Sequence, residues 1–186
     1  GGVPQSARQL ANYYRHHDRR LPPALGGHFH LVVIDERQQQ LYGLTDKFAT
    51  CPLYYQIDED CLRIGGHLGN LHARGEADLP LAPQSLYHYL YFHCIPSPHT
   101  VYEGISKLPP ATLLHWDAGQ LTTRLYWRPT FHQQADDSTA GLQQQLRDAL
   151  EQAVGRHADR PRTWAFLSGG LDSSSVTAYL SHTSGR

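Results

Sequence analysis

Ser168-Gly169-Gly170-Leu171-Asp172-Ser173-Ser174 follows the apolar run Trp164–Leu167 and leads directly into Leu171–Leu180, which reads as a helix. A strand, a glycine turn and a helix start form an anion cradle. The first amides of a helix have no carbonyl partner within it and carry a partial positive charge. Two glycines let the backbone turn sharply and approach an anion with no Cβ in the way. Ser168, Ser173 and Ser174 add hydroxyl donors, so the string suits a phosphate or pyrophosphate. It lacks the lysine followed by Ser or Thr of a Walker loop, since the chain has only Lys47 and Lys107. Chemistry other than γ-phosphoryl transfer is therefore expected. Asp172 is out of place beside phosphates unless a Mg²⁺ lies between the anions or the carboxylate caps the helix; the metal-linked role is favoured. The plain alternative is a Gly-rich turn capped by Ser and Asp.

Working outward, the last third of the chain has an α/β style. Ala140–His157 reads as a helix with Leu142, Leu146, Leu150 and Val154 at four-residue spacing, and Trp164–Leu167 as a short apolar strand. Before about residue 130 the style is antiparallel. β-type runs at Phe29–Asp35, Leu41–Asp46, Leu53–Ile57 and Cys61–Gly65 are separated by short turns. Leu113–Trp116 and Leu121–Trp127 make a hairpin around Asp117–Gly119. Helices are expected at Pro4–His17, with Leu10, Tyr13, Tyr14 and His17 on one face, and at Gln84–Phe92. Pro22–Pro23 and Gly26–Gly27 break the chain after the first helix, and Ser97-Pro98 and Pro109-Pro110 bracket a rigid loop. The polar stretch 131–139 is the expected linker between domains.

The 186 residues allow one domain and part of another. A formal net charge of −1 and a pI near 7.0 do not point to a nucleic-acid partner. No apolar run approaches the roughly 20 residues of a membrane span, and no leader is visible. Cys51, Cys61 and Cys94 are odd in number and widely spaced, which argues for a reducing compartment and against a disulfide framework. With His67 and His72 they match no common zinc spacing. Met is absent, Gly1 stands first, and Ser181–Arg186 trail off after a helix start. These features lead us to expect a fragment truncated at both ends.

The loop resembles the signature of the PP-loop ATP pyrophosphatases, and four earlier blocks resemble asparagine synthetases in particular. They are Gly27–Asp35, Thr45-Asp46-Lys47-Phe48-Ala49-Thr50-Cys51-Pro52-Leu53-Tyr54-Tyr55, Gly66–Leu71, and Ile95–Pro110 with Tyr126-Trp127. The resemblance implies an α+β antiparallel Ntn-type (αββα) glutaminase-like domain over 1–130, including the linker hairpin. The beginning of an α/β PP-loop (adenine nucleotide α-hydrolase-like) domain would then cover 140–186. It implies a ligase that adenylates a carboxylate, aspartate above all, and forms an amide with glutamine-derived ammonia, releasing AMP and pyrophosphate. ATP and Mg²⁺ would be the cofactors. Leu167, Ser168, Gly169, Gly170, Leu171, Asp172, Ser173 and Ser174 would form the nucleotide site, with Asp172 the residue nearest a Mg²⁺. Aspartate or another carboxylic acid and glutamine would be the partners, in the cytoplasm, with a homodimer one option for assembly.

The departures from the family pattern lie in the first half. Its cysteine nucleophile has no counterpart at Gly1, so no catalytic residue is assigned. Ser6 stands near the expected acidic residue for the glutamine α-amino group. Gly66-His67 replaces Ser-Glu, and Ala49 replaces a glycine. Asp46 and Lys47 read as structural turn residues. The 186-residue chain is expected to be inactive in ATP–pyrophosphate exchange. A peptide cyclase or tailoring amide ligase with a degenerate glutaminase half is the alternative. A sulfur-transferring PP-loop enzyme and a non-catalytic nucleotide-binding module are more distant rivals.

Overall fold

The computed structural model describes residues 6–16, 25–59, 61–71, 79–131, 138–158 and 163–184. The expected breaks at Pro22–Pro23, His17, His72 and most of the 131–139 linker lie outside them. The chain divides into two compact units, 1–130 and 131–186.

In the first unit β-branched and aromatic residues pair into two antiparallel sheets. The larger runs β1–β2–β6–β7, from β1 (His30–Asp35), β2 (Gln40–Thr45), β6 (Thr112–Asp117) and β7 (Gln120–Leu125). The smaller runs β4–β3–β5, from β4 (Cys61–Gly65), β3 (Tyr54–Asp58) and β5 (Ile105–Lys107). Each hairpin has a local cause. Asp35 Oδ1 accepts the amides of Arg37 and Gln38, which turns the chain back so that Asp35 faces Gln40. Ala118 and Gly119 both adopt positive φ in the two-residue turn joining β6 to β7, with Asp117 facing Gln120. The three-residue β5 was not foreseen: it is short and its pairing with Tyr54–Gln56 is long-range.

The two sheets share one core. Leu53, Leu108 and Leu114 are fully enclosed, with Val32, Leu41, Tyr55, Leu62, Ile64, Trp116 and Leu121 packed around them. These come from both sheets at alternate positions, as a period of two requires. Gly43 lets the layers close: a Cβ there would stand 3.0 Å from Ile64 Cδ1 and 3.2 Å from Leu53 Cδ2. On the outer face of the larger sheet, α1 (Ala7–His16) buries Leu10 and Tyr14, and Tyr14 reaches Tyr42 and the Asp35 carboxylate. Burial, helped by Tyr42 and Asp35, pushes the Tyr14 phenol well above its usual range. The short α2 (Leu68–Leu71) seats Leu71 beside β3 and β4. By contrast, α3 (Pro83–Phe92) buries Ser85 alone.

The turn after β2 is organised by one carboxylate. Asp46, 3% exposed, accepts the amides of Phe29 (3.1 Å), Phe48 (2.9 Å), Thr50 (3.1 Å) and Cys51 (3.4 Å) and the hydroxyl of Thr50. Its backbone carbonyl takes the amides of Ala49 and Ala111. Burial alone raises a carboxyl pKa. Here the Thr50 hydroxyl and the amides of Phe48, Thr50 and Phe29 outweigh it and hold Asp46 at about 2.

The second unit contains α4 (Thr139–Ala158) and α5 (Leu171–Ser184), packed on each other. Two expectations change here. Trp164–Leu167 forms no ladder, because among the described residues of the unit no strand offers it hydrogen bonds. The Leu142, Leu146 and Leu150 stripe is present, yet α4 buries none of its residues. One neighbouring helix cannot cover a 20-residue face. No helix among the described residues is long and apolar enough to cross a membrane.

The depressed Asp46 pKa gives a test. A group whose folded pKa lies below its unfolded value stabilises above the unfolded pKa, and the gain is lost as pH falls through the folded pKa. The shift from 3.8 to about 2 corresponds to about 2 kcal/mol at neutral pH, lost between roughly pH 4 and pH 2. Asp46→Ala should lower stability by at least that amount in urea unfolding at pH 7. It should also flatten stability over that acid window, measured from pH 7 down to pH 2.

Candidate functional site

The sequence-predicted site lies at the start of α5 and is open to solvent. Leu167, Ser168, Gly169, Gly170, Leu171, Asp172 and Ser174 are all exposed and Ser173 is half-buried. Gly169 takes φ +83°, a conformation that side chains resist. The serines brace the turn. Ser168 N–H donates to Ser173 Oγ at 3.2 Å, the Ser168 and Ser173 hydroxyls lie 2.9 Å apart, and Ser173 Oγ donates to the Gly170 carbonyl at 3.2 Å. Ser174 N–H bonds the Gly170 carbonyl at 3.1 Å, which makes Gly170 the residue at the helix threshold. The amides of Leu171, Asp172 and Ser173 then fall in the first turn, where a helix supplies no i−4 acceptor. Gly170 has no packing reason to be glycine: a Cβ would meet only Ser168 Oγ, at 3.6 Å. Asp172 stands on the first turn, where its charge suits the helix pole. The structure thus brings the eight predicted residues together in one bare, self-braced loop.

In the first unit an open cleft of about 670 Å³ lies beside the start of α1, lined by Ser6, Ala7, Leu10, Gly27, His28 and His30 among others. Among the described residues no carboxylate lines it. Ser6 caps α1, its hydroxyl accepting the Gln9 amide and its carbonyl the Leu10 amide. His28 is tied to the Thr50 hydroxyl at 3.1 Å. The His30 imidazole lies against Gly66, so that a Cβ at 66 would stand 2.5 Å from its Cε1 and 3.0 Å from Nε2. The expected Ser-Glu pair has become Gly66-His67 where His30 occupies the space. This contact joins residues 36 positions apart, and the sequence signal for it was only the two unusual residues taken together.

Two family matches cover most of the chain. Residues 8–127 match the glutamine amidotransferase domain and residues 145–186 match asparagine synthase. The chain belongs to the asparagine synthetase family of glutamine amidotransferases. Similar proteins include glutamine-hydrolysing asparagine synthetases 1 and 3 of Bacillus subtilis. The first is 29% identical over 89% of this chain and 26% of its own length; the second is 26% identical over 83% and 25%. An amidase, chry2, of Gibberella zeae is 27% identical over 91% of this chain and 25% of its own length. The chain thus spans about a quarter of the length of these relatives. In the glutaminase-like unit the family's antiparallel sheets are present, and among the described residues the cleft beside α1 has no acidic group in its lining.

The His30–Gly66 contact can be measured by a double-mutant cycle. Gly66→Ala should cost roughly 0.5–1 kcal/mol in urea unfolding when His30 is present, and close to nothing in a His30→Ala background. Equal costs in both backgrounds would show that the imidazole does not occupy that space.

Proposed function

We propose that this chain is part of an ATP-dependent carbon–nitrogen ligase of the asparagine synthetase type, and that Ser168–Ser174 seats the pyrophosphate portion of ATP. In that reading the complete enzyme frees ammonia from glutamine and adenylates a carboxylate, aspartate first among candidates. Ammonia then displaces AMP to form the amide. Adenylation turns a poor leaving group into a good one, after which attack needs mainly a positioned nucleophile. The supporting observation is Gly170, where an added Cβ would meet only Ser168 Oγ at 3.6 Å among the described residues, at the threshold of a helix whose first amides have no acceptor within it. A ligand approaching the backbone supplies the reason that packing does not. Ser168, Ser173 and Ser174 offer hydroxyls, Gly169 supplies the turn, and the backbone of Leu167 and Leu171 flanks the nucleotide. Asp172 would ligate a Mg²⁺, which when bound offsets phosphate charge. The names of the relatives favour asparagine synthesis over the tailoring-ligase alternative. Among the described residues, the cleft beside α1 offers no carboxylate as a charge partner for a glutamine ammonium group. The three free cysteines are consistent with a cytoplasmic setting.

Calorimetric titration of the chain with magnesium pyrophosphate tests the seat. Gly170→Val should leave the melting temperature unchanged and weaken binding at least about tenfold, because the added carbons fill the approach to the amides rather than the core. Unchanged affinity would remove the loop as the seat. Asp172→Ala separates the two roles of the carboxylate. A metal-linked role loses binding only when Mg²⁺ is present, whereas a capping role lowers the stability of α5 with or without the metal.

A further inference from the structure

The cleft beside the start of α1 contains a polar side chain that the fold positions and then leaves unanswered. His30 opens β1, and its ring is seated on Gly66, where a Cβ would come within 2.5 Å of Cε1, 3.0 Å of Nε2 and 3.4 Å of Nδ1. Among the described residues, neither ring nitrogen of His30 has a hydrogen-bond or ionic partner. Yet a neutral imidazole always has one N–H to donate. His28, two residues earlier, is committed differently. Thr50 spends its hydroxyl proton on Asp46, so His28 Nδ1 is the donor in its 3.1 Å contact with Thr50 Oγ.

The rest of the lining sets the charge and shape of a guest. Ser6 and Ala7 bring the start of α1 to the cleft. Ser6 takes the Gln9 amide on its hydroxyl and the Leu10 amide on its carbonyl, while the amides of Ala7 and Arg8 have no acceptor within the helix. This first turn contains Arg8 and no acidic residue. Asp46, whose carboxylate holds the Phe29 amide, is buried and is not part of the lining. Beside this electropositive end lie Leu10, Leu25, Phe29 and Leu31, with Gly26, where a Cβ would meet nothing within 4 Å. The volume of about 670 Å³ falls within the roughly 300–1,000 Å³ of small-molecule sites, which pair an apolar lining with a few polar groups.

We propose that this cleft binds a small organic carboxylate. His30 donates to the acid group, the pole of α1 adds its attraction for negative charge, and the apolar lining takes the hydrocarbon body. A cation finds no acidic group in that lining, and a neutral apolar guest leaves the His30 N–H without an acceptor. Gly66 is the positioning residue, because only a bare backbone there lets the imidazole sit where it does. The proposal is independent of the pyrophosphate seat at the head of α5.

Titration of the 186-residue chain with sodium hexanoate, without Mg²⁺ and at fixed pH and ionic strength, is the test. The readout is the NMR shift of the Leu10 and Leu31 methyl groups. Saturation is expected at about millimolar concentrations, the range open to so small a ligand. Hexanol, with the same tail and no charge, and hexylammonium, with the opposite charge, should bind at least about tenfold more weakly. His30→Phe keeps a ring against Gly66, removes its nitrogens and should weaken hexanoate about tenfold. Gly66→Ala, which drives the imidazole off its seat, should do the same and serves should His30→Phe misfold. Gly170→Val should leave hexanoate affinity unchanged. No saturation up to about 50 mM overturns the proposal, since that range covers any affinity of use here. Hexanol binding as well as hexanoate overturns it, as does a loss of hexanoate in Gly170→Val. Indifference to both His30→Phe and Gly66→Ala overturns it equally.

Discussion

The Asp46 carboxylate gathers segments that no strand ladder joins. Its oxygens hold the amide of Phe29 just before β1 and those of Phe48, Thr50 and Cys51 in the turn toward β3, while its carbonyl holds Ala111 at the start of β6. The larger sheet is thus fastened to the turn that leads into the smaller one. Thr45 continues the seam with its hydroxyl on the Pro109 carbonyl at 2.6 Å, and the Tyr126 hydroxyl closes it on the Thr45 carbonyl at 2.6 Å. A buried charge is costly unless its lone pairs are filled. Four amides and a hydroxyl fill these, which is why the group stays ionised in a 3% exposed position. Burial, and the negative charge of Asp46 nearby, raise the Tyr126 phenol in turn.

The same turn shows what this chain gave up. Ala49 occupies φ +50°, where an L side chain costs about 1–2 kcal/mol relative to the right-handed region. Glycine is the residue that the asparagine synthetase resemblance leads one to expect there. The conformation survives because Asp46 binds on either side of it, at Phe48 and Thr50, and leaves residue 49 no other path. Lys47 and Phe48 then point outward, the ammonium 5.2 Å from the Trp127 ring centre and the phenyl ring edge-on to it. This ties the turn to the segment that follows β7.

Local signals carried most of the first unit. The runs Phe29–Asp35, Leu41–Asp46 and Cys61–Gly65 are strands within a residue of their expected bounds because β-branched alternation and turn residues coincide there. Long-range facts were not legible. The role of Asp46 needs Phe29 and Ala111, the strand β5 needs β3, and the fit of His30 on Gly66 needs both sheets to be closed. In the second unit the local signals were read correctly as patterns but not as structure. The apolar run Trp164–Leu167 and the leucine stripe of α4 each require a neighbour, and α5 is the one neighbour that the described residues supply. Of the predicted nucleotide loop, the glycine turn and the helix start were visible in the string itself. The mutual bracing of Ser168 and Ser173 was not, since it depends on the rotation of the first helical turn.

Glycine does different things at different places in the chain, and the contrast bears on the candidate site. Gly43 and Gly66 are bare because the chain itself fills the space: a Cβ at either would stand 3.0 Å or less from Ile64 or His30. Gly169 and Gly170 have open surroundings, and only Gly169 has a positive φ to account for it. A glycine required by packing says that the fold is finished around it. One with neither packing nor backbone strain, as at Gly26, Gly69 and Gly170, leaves the backbone open to approach, and of these three Gly170 alone stands at the head of a helix longer than one turn. By that criterion the first unit carries its departures from the family as a repacked interior, with His30 settled where a larger residue at 66 would have stood. The second unit is open at the head of α5, where a helix pole and hydroxyls suit an anion.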